Sequence, residues 1–243
     1  MKTKSKALLL TLCAVLLVAA SVLGTMAYLT STDTVTNTFT VGKVEIKLDE
    51  AKVTADGIPV EGAARVTENS YKLMPGNTYT KDPTVTVKAG SEESYVRMKV
   101  TFNNAAALME MLPNAEDFDD DADALAIARK LAPMLYLTNF TAVESVWLPD
   151  INMMYGENTV LADPNYFVYD AQADTVTYIF YYPATVTATD KDVVLPAVFT
   201  EISLPEHVTG EQLKALKDFR ITVIAEAIQA GSFADADDAW SHF

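Results

Sequence analysis

Residues Tyr95 to Phe102 alternate without a break. Val96, Met98, Val100 and Phe102 fall on one side, and Tyr95, Arg97, Lys99 and Thr101 on the other. A period of two marks a strand with one face in a core and the other toward water. The same period recurs at Val44, Ile46 and Leu48, which alternate with Glu45, Lys47 and Asp49. Phe39 and Val41 precede that run out of phase across Gly42-Lys43, as a bulge would place them. Thr175 to Tyr182 is rich in residues that suit a pleated surface. Phe219, Ile221, Val223, Ala225 and Ala227 share one face of a long late strand. Shorter strands are expected at Thr84 to Lys88, Ser145 to Leu148, Tyr166 to Tyr169 and Ala197 to Ser203. Turn signals at Asp56-Gly57, Pro75-Gly76-Asn77 and Ala89-Gly90 separate the runs.

Helices interrupt this pattern. Ala105 to Leu112 is alanine-rich and ends at Pro113. Leu125, Ala128, Leu131 and Ala132 mark a helical face expected to stop at Pro133. Thr209 with Gln212 forms a capping box that opens a helix through Lys217. Many short strands with a helical and loop insertion over 103–165 predict a mainly β fold, a jelly-roll-like β-sandwich. No linker or repeat divides the chain, so one domain over 28–243 is expected, preceded by a signal-peptide helix over 1–27.

That helix follows from the first residues. Lys2, Lys4 and Lys6 form a basic start, Ala7 to Leu23 is an apolar run, and Gly24, Thr25, Met26 and Ala27 end it in mainly small residues. This is the anatomy of a secretory signal, with cleavage expected between Ala27 and Tyr28. The run is at the lower end of what can span a bilayer, so membrane association is expected only through an uncleaved leader. The single cysteine, Cys13, lies within the run. It is not placed for lipid attachment, and its loss with the leader leaves no disulfide or thiol chemistry. With 33 acidic residues against 18 basic ones, the chain carries a net charge of −15, and no basic stripe offers a nucleic-acid surface.

Catalytic motifs are sparse. Asp119, Asp121 and Asp123 match the opening of a calcium loop, but Ala124 stands where the sharp turn needs Gly, and Lys130 where the closing Glu belongs. Complementing a helix dipole accounts for these aspartates better. Asp235, Asp237 and Asp238 read as a polar terminal turn. His207 and His242 are the only histidines and suggest no ligand set. Glu92-Glu93, beside Gly90-Ser91, read as a turn rather than as a glycosidase pair. Tyr178, Tyr181 and Tyr182 are either sheet residues or a carbohydrate platform. No metal, cofactor or catalytic residue is expected.

Three stretches carry a family resemblance. Gly24-Thr25-Met26-Ala27-Tyr28-Leu29-Thr30, followed by Asn37 to Val44, resembles the N-terminus of the TasA/camelysin family. Leu73-Met74-Pro75-Gly76-Asn77-Thr78-Tyr79-Thr80-Lys81 resembles that family's proline-glycine turn, with Met74 in place of a lysine. Ile221 to Gln229 resembles its closing strand. The matches run from residue 1 to about 102 and from about 198 to 240. The resemblance implies export through the signal peptidase SipW, a jelly-roll domain, and self-association into biofilm-matrix fibres by donor-strand complementation. The donor segment it implies is Tyr28 to about Asn37: Tyr28 and Leu29 anchor it, and Thr30, Thr32, Thr34, Val35 and Thr36 suit an extended strand. Without the resemblance, the same residues read as an ordinary loose terminus. The protease activity described for camelysin has no zinc triad here to carry it.

The functional expectation is a secreted, non-enzymatic structural protein of the extracellular matrix or cell surface. A monomeric adhesin or carbohydrate-binding module is the alternative, and a carboxylate hydrolase a distant third.

Overall fold

The computed structural model describes residues 12–17, 42–111, 122–140, 146–154 and 160–243. Residues 12–17 form a helical segment on which Cys13 is exposed. Residues 42–243 form a separate compact unit. Among the described residues, no helix is long and apolar enough to cross a membrane.

The compact unit is mainly β, built from antiparallel sheets. Its axis is β4 (Ser91–Asn103), a strand of 13 residues. The alternation seen in the sequence holds over Tyr95 to Phe102: Val96, Met98, Val100 and Phe102 are buried, while Arg97, Lys99 and Thr101 lie on the other face. On one side β4 pairs with β10 (Ile221–Gln229), in a register running from Ile221 opposite Phe102 to Gln229 opposite Ser94. On the other it pairs with β6 (Thr175–Tyr181), which in turn pairs with β5 (Phe167–Asp170). β7 (Val186–Ala188) joins the start of β4 across a register shift between Ser91 and Ser94. A second sheet places β3 (Thr84–Val87) between β1 (Ile46–Asp49) and β8 (Val193–Val194). β2 (Thr78–Thr80) and β9 (Glu201–Ser203) make a separate ribbon.

The inner faces share one core. Val85 and Val87 of β3, the β4 residues named above, and Val176, Tyr178 and Phe180 of β6 belong to it. Phe102 meets Tyr178 edge-on, with centroids 5.9 Å apart, an arrangement that adds to simple burial.

Helices α1 (Ala105–Met109), α2 (Ala122–Leu137) and α3 (Ile151–Met154) lie between β4 and β5. The sequence predicted a stop at Pro133, but α2 runs through it. A proline inside a helix costs about 3 kcal/mol. Leu131, Met134 and Leu137 are each buried on this helix, at roughly 1.5–3 kcal/mol apiece, so packing outweighs the broken backbone bond. Helix α4 (Gly210–Ala215) opens with the expected capping box between Thr209 and Gln212. Helix α5 (Ala236–Ser241) was not anticipated.

Other expectations need correction. Glu92 and Glu93 sit within β4 rather than in a turn. The turn is at Ala89-Gly90, and the acidic pair opens the strand, with the Glu92 N–H donating to Lys43 O at 2.9 Å. The strand expected over Ser145 to Leu148 reduces, among the described residues, to one bridge between Leu148 and Tyr181. Trp147 is fully buried there and donates its Nε1–H to Pro196 O at 2.8 Å. The apolar signal in that stretch was core anchoring, not alternation. The strand expected over Ala197 to Ser203 shortens to β9.

Candidate functional site

The described residues enclose a groove of about 750 Å³, lined by Leu48, Asp49 and Glu50 of the β1 flank and by Phe219 to Val223 of the β10 flank. Tyr71, Leu73 and Ile202 contribute apolar wall, and Lys81, Glu68 and Asn69 contribute polar wall. The two flanks belong to different sheets, so the groove lies where two strand edges approach one another.

The β1 flank is closed by side chains. Glu50 exchanges backbone hydrogen bonds with Val66, both at 2.8 Å. Arg65 donates from Nε to Asp49 Oδ1 at 2.6 Å, from Nη1 to Asp82 Oδ2 at 2.8 Å, and from Nη2 to Asp49 O at 3.1 Å. Burial alone would raise the Asp49 carboxyl, but hydrogen bonds from Lys47 and Arg65 prevail and hold it below its ordinary value. Lys81 donates to Glu50 Oε2 at 2.6 Å in a buried pair. Asn69 donates to Glu50 Oε1 at 2.9 Å and accepts the Val53 N–H at 3.0 Å. Gly57 lets this loop close, because a Cβ there would stand 2.6 Å from Tyr79 Cα and its φ is +78°. The Tyr71 phenol is pushed well above its ordinary range by burial and by the charge of Glu50, so it remains a donor, bonded to Thr80 O at 3.1 Å.

The β10 flank is different. β10 is the terminal strand of its sheet, and its nine residues pair on one side only, with β4. Among the described residues, no backbone group is hydrogen-bonded to its other edge. Ile224 in its middle is 48 % exposed.

A second cluster covers the outer face of β4. Arg97 lies over two adjoining rings, 4.2 Å from the centroid of Trp240 and 5.0 Å from that of Phe243, and donates from Nε to Glu226 Oε2 at 2.5 Å. Lys99 reaches the other oxygen of Glu226 at 2.9 Å. Burial would raise the Glu226 carboxyl, but the hydrogen bonds from Lys99 and Arg97 lower it. Tyr181 lies 6.1 Å edge-on from Trp240 and 5.5 Å from Tyr166.

The residues singled out in the sequence are dispersed. The cleavage pair Ala27 and Tyr28, and the donor positions Tyr28, Leu29, Thr30, Thr32, Thr34, Val35 and Thr36, lie outside the described residues. Asp119 and Asp121 do too, and Asp123 falls in the first turn of α2. Asp235 caps α5 by accepting the Asp238 N–H at 2.9 Å, and Asp238 accepts the Ala234 N–H at 3.1 Å, so this acidic run is a helix cap. The His207 ring nitrogen lies 3.4 Å from Met111 O, and that of His242 lies 2.8 Å from Asp238 O. Among the described residues, no group of three or more His, Cys, Asp and Glu is placed to hold a metal. The three tyrosines do not make one platform. Tyr178 is a core residue whose hydroxyl donates to Lys130 O, Tyr181 is on the outer face, and the Tyr182 ring packs 5.3 Å from Trp147.

Sequence reasoning missed Asn69, Arg65 and Trp240. Their partners are far along the chain, and only an isolated Arg or Asn beside an acidic strand end hinted at them. No family model, no curated protein and no solved structure matches the chain.

Proposed function

We propose that this chain is an exported structural subunit of an extracellular or biofilm matrix, with a jelly-roll-like subunit fold, that polymerises through its own N-terminal segment. The observation that carries the reading is the edge of β10 beside the groove, which has no backbone partner among the described residues. An edge strand offers unpaired N–H and C=O groups to any extended segment, and side-chain pockets alongside then set the preference. Residues 28–37 supply the matching chemistry: Tyr28 and Leu29 offer an apolar anchor, and Thr30, Thr32, Thr34, Val35 and Thr36 suit an extended strand. Leader removal at Ala27–Tyr28 would free that segment, and the TasA/camelysin resemblance points the same way.

The reading requires no catalytic step. It is tested with purified protein beginning at Tyr28, followed by light scattering and electron microscopy. Fibres should grow with protein concentration and disappear when residues 28–37 are deleted. A protein that stays monomeric under all fibre-promoting conditions overturns it.

One observation favours the alternative of a monomeric carbohydrate-binding adhesin. Trp240, Tyr181 and Tyr166 gather on the outer face, with Phe243 59 % exposed beside them. Glycan binding lost on Trp240→Ala, with no fibres formed, would select that reading.

A further inference from the structure

The polar end of the groove brings three kinds of side chain together. Lys81 and Glu50 are only 8 % and 5 % exposed, and Lys81 Nζ lies 2.6 Å from Glu50 Oε2. The other oxygen of the same carboxylate accepts Asn69 Nδ2–H at 2.9 Å. A primary amine and a carboxamide are thus joined by one carboxylate, with Pro83 and Val53 buried nearby. The Asn69 carboxamide is held in place from both ends. Its Oδ1 accepts the Val53 N–H at 3.0 Å, and its Nδ2 also donates to Ala51 O at 2.8 Å.

We infer that Lys81 and Asn69 are set up to form an intramolecular isopeptide bond, with Glu50 as the proton carrier. Glu50 takes a proton from the Lys81 ammonium along their hydrogen bond, which frees the nitrogen lone pair. Nζ attacks Asn69 Cγ, and the carbonyl electrons move onto Oδ1, where the Val53 N–H already points. Glu50 hands its proton to the Asn69 amide nitrogen and receives one from Nζ. The carbonyl re-forms, the Cγ–Nδ2 bond breaks, and the nitrogen leaves as ammonium after taking the remaining proton from Glu50. One ammonium and one carboxamide become one secondary amide and one free ammonium ion. Glu50 returns to its carboxylate, and no oxidant or reductant is needed.

The bond would close the chain from residue 69 to residue 81 around the Pro75-Gly76 turn and lock the polar wall of the groove to β2. A cross-link confers stability chiefly by restricting the unfolded chain. Outside the leader the chain has no cysteine with which to make a disulfide. The inference rests on this side-chain geometry alone and stands or falls separately from the fibre reading.

Intact-mass measurement on the folded full chain, with peptide mapping after denaturation, tests it. The wild-type chain should be lighter than its sequence by one ammonia and yield a branched peptide joining Asn69 to Lys81. Lys81→Arg and Glu50→Gln should each retain the full sequence mass, with folding checked by circular dichroism. A wild-type chain that keeps its full mass after prolonged incubation overturns the inference. So does an ammonia loss that persists in Lys81→Arg, because that would be succinimide formation at Asn69-Ser70. Should both variants fail to fold, the wild-type mass and the branched peptide still decide the matter.

Discussion

The two flanks of the groove solve the same problem in opposite ways. On the β1 flank, the chain folds back after Glu50 and closes the strand end with Val66, Arg65 and the Lys81–Glu50–Asn69 group. On the β10 flank, a nine-residue strand uses one edge on β4 and leaves the other without a backbone partner among the described residues. β10 does carry a charge, but Glu226 is engaged with Arg97 and Lys99 on the outer face of the sheet. Natural sheets usually guard their edges with charge, proline or a covering loop. The β10 edge, terminal in its sheet, is the one on which the proposed assembly depends.

The closed flank should be the costly one to disturb. Glu50→Ala leaves the Lys81 ammonium buried without its partner, and is expected to cost about 3–5 kcal/mol in urea unfolding. A cost below about 1 kcal/mol would mean that the pair does not hold the flank. Arg65→Met should cost less, about 1–2 kcal/mol, because the guanidinium is partly exposed and water screens its bonds. That difference should depend on pH. Asp49 has its carboxyl held below the ordinary value of 3.8, so its stabilisation is present above that pH and is lost as pH falls through the lowered value. The gap between wild type and Arg65→Met should therefore be full at neutral pH and shrink below 3.8. A constant gap would show that Arg65 acts through packing alone.

The outer face offers an intermediate case. Trp240→Ala removes a ring stacked on Arg97 and loosens α5 from β4, for an expected loss of about 1 kcal/mol. On the open flank, Ile224→Lys should change stability by less than about 0.5 kcal/mol, since the side chain is half exposed. The same substitution should nevertheless slow or abolish fibre growth. Fibres unaffected by a charge at Ile224 would place assembly elsewhere.

The contrast also explains what was legible in the sequence. β4 and β10 could be read directly, because a strand buried on one face writes a period of two over many residues. The Thr209–Gln212 box was equally local, as both bonds span three residues. Pro133 misled because a local rule competed with burial of Leu131, Met134 and Leu137, which only tertiary packing reveals. β8, with two residues, has no period to read. The closed flank was invisible for a related reason. Glu50 and Lys81 are 31 residues apart, and nothing in either neighbourhood announces the other. The open edge of β10 is likewise a property of sheet order rather than of its own residues, so the strand was legible and its availability was not.

Hydrogen exchange at the β10 backbone tests the account most directly. In monomeric protein beginning at Tyr28, the Ile221–Gln229 amides facing away from β4 should exchange rapidly, and those bonded to β4 slowly. In assembled material the fast set should become protected, and deletion of residues 28–37 should prevent that change. Protection already complete in the monomer, or fibres that leave these amides exchanging freely, would contradict the account.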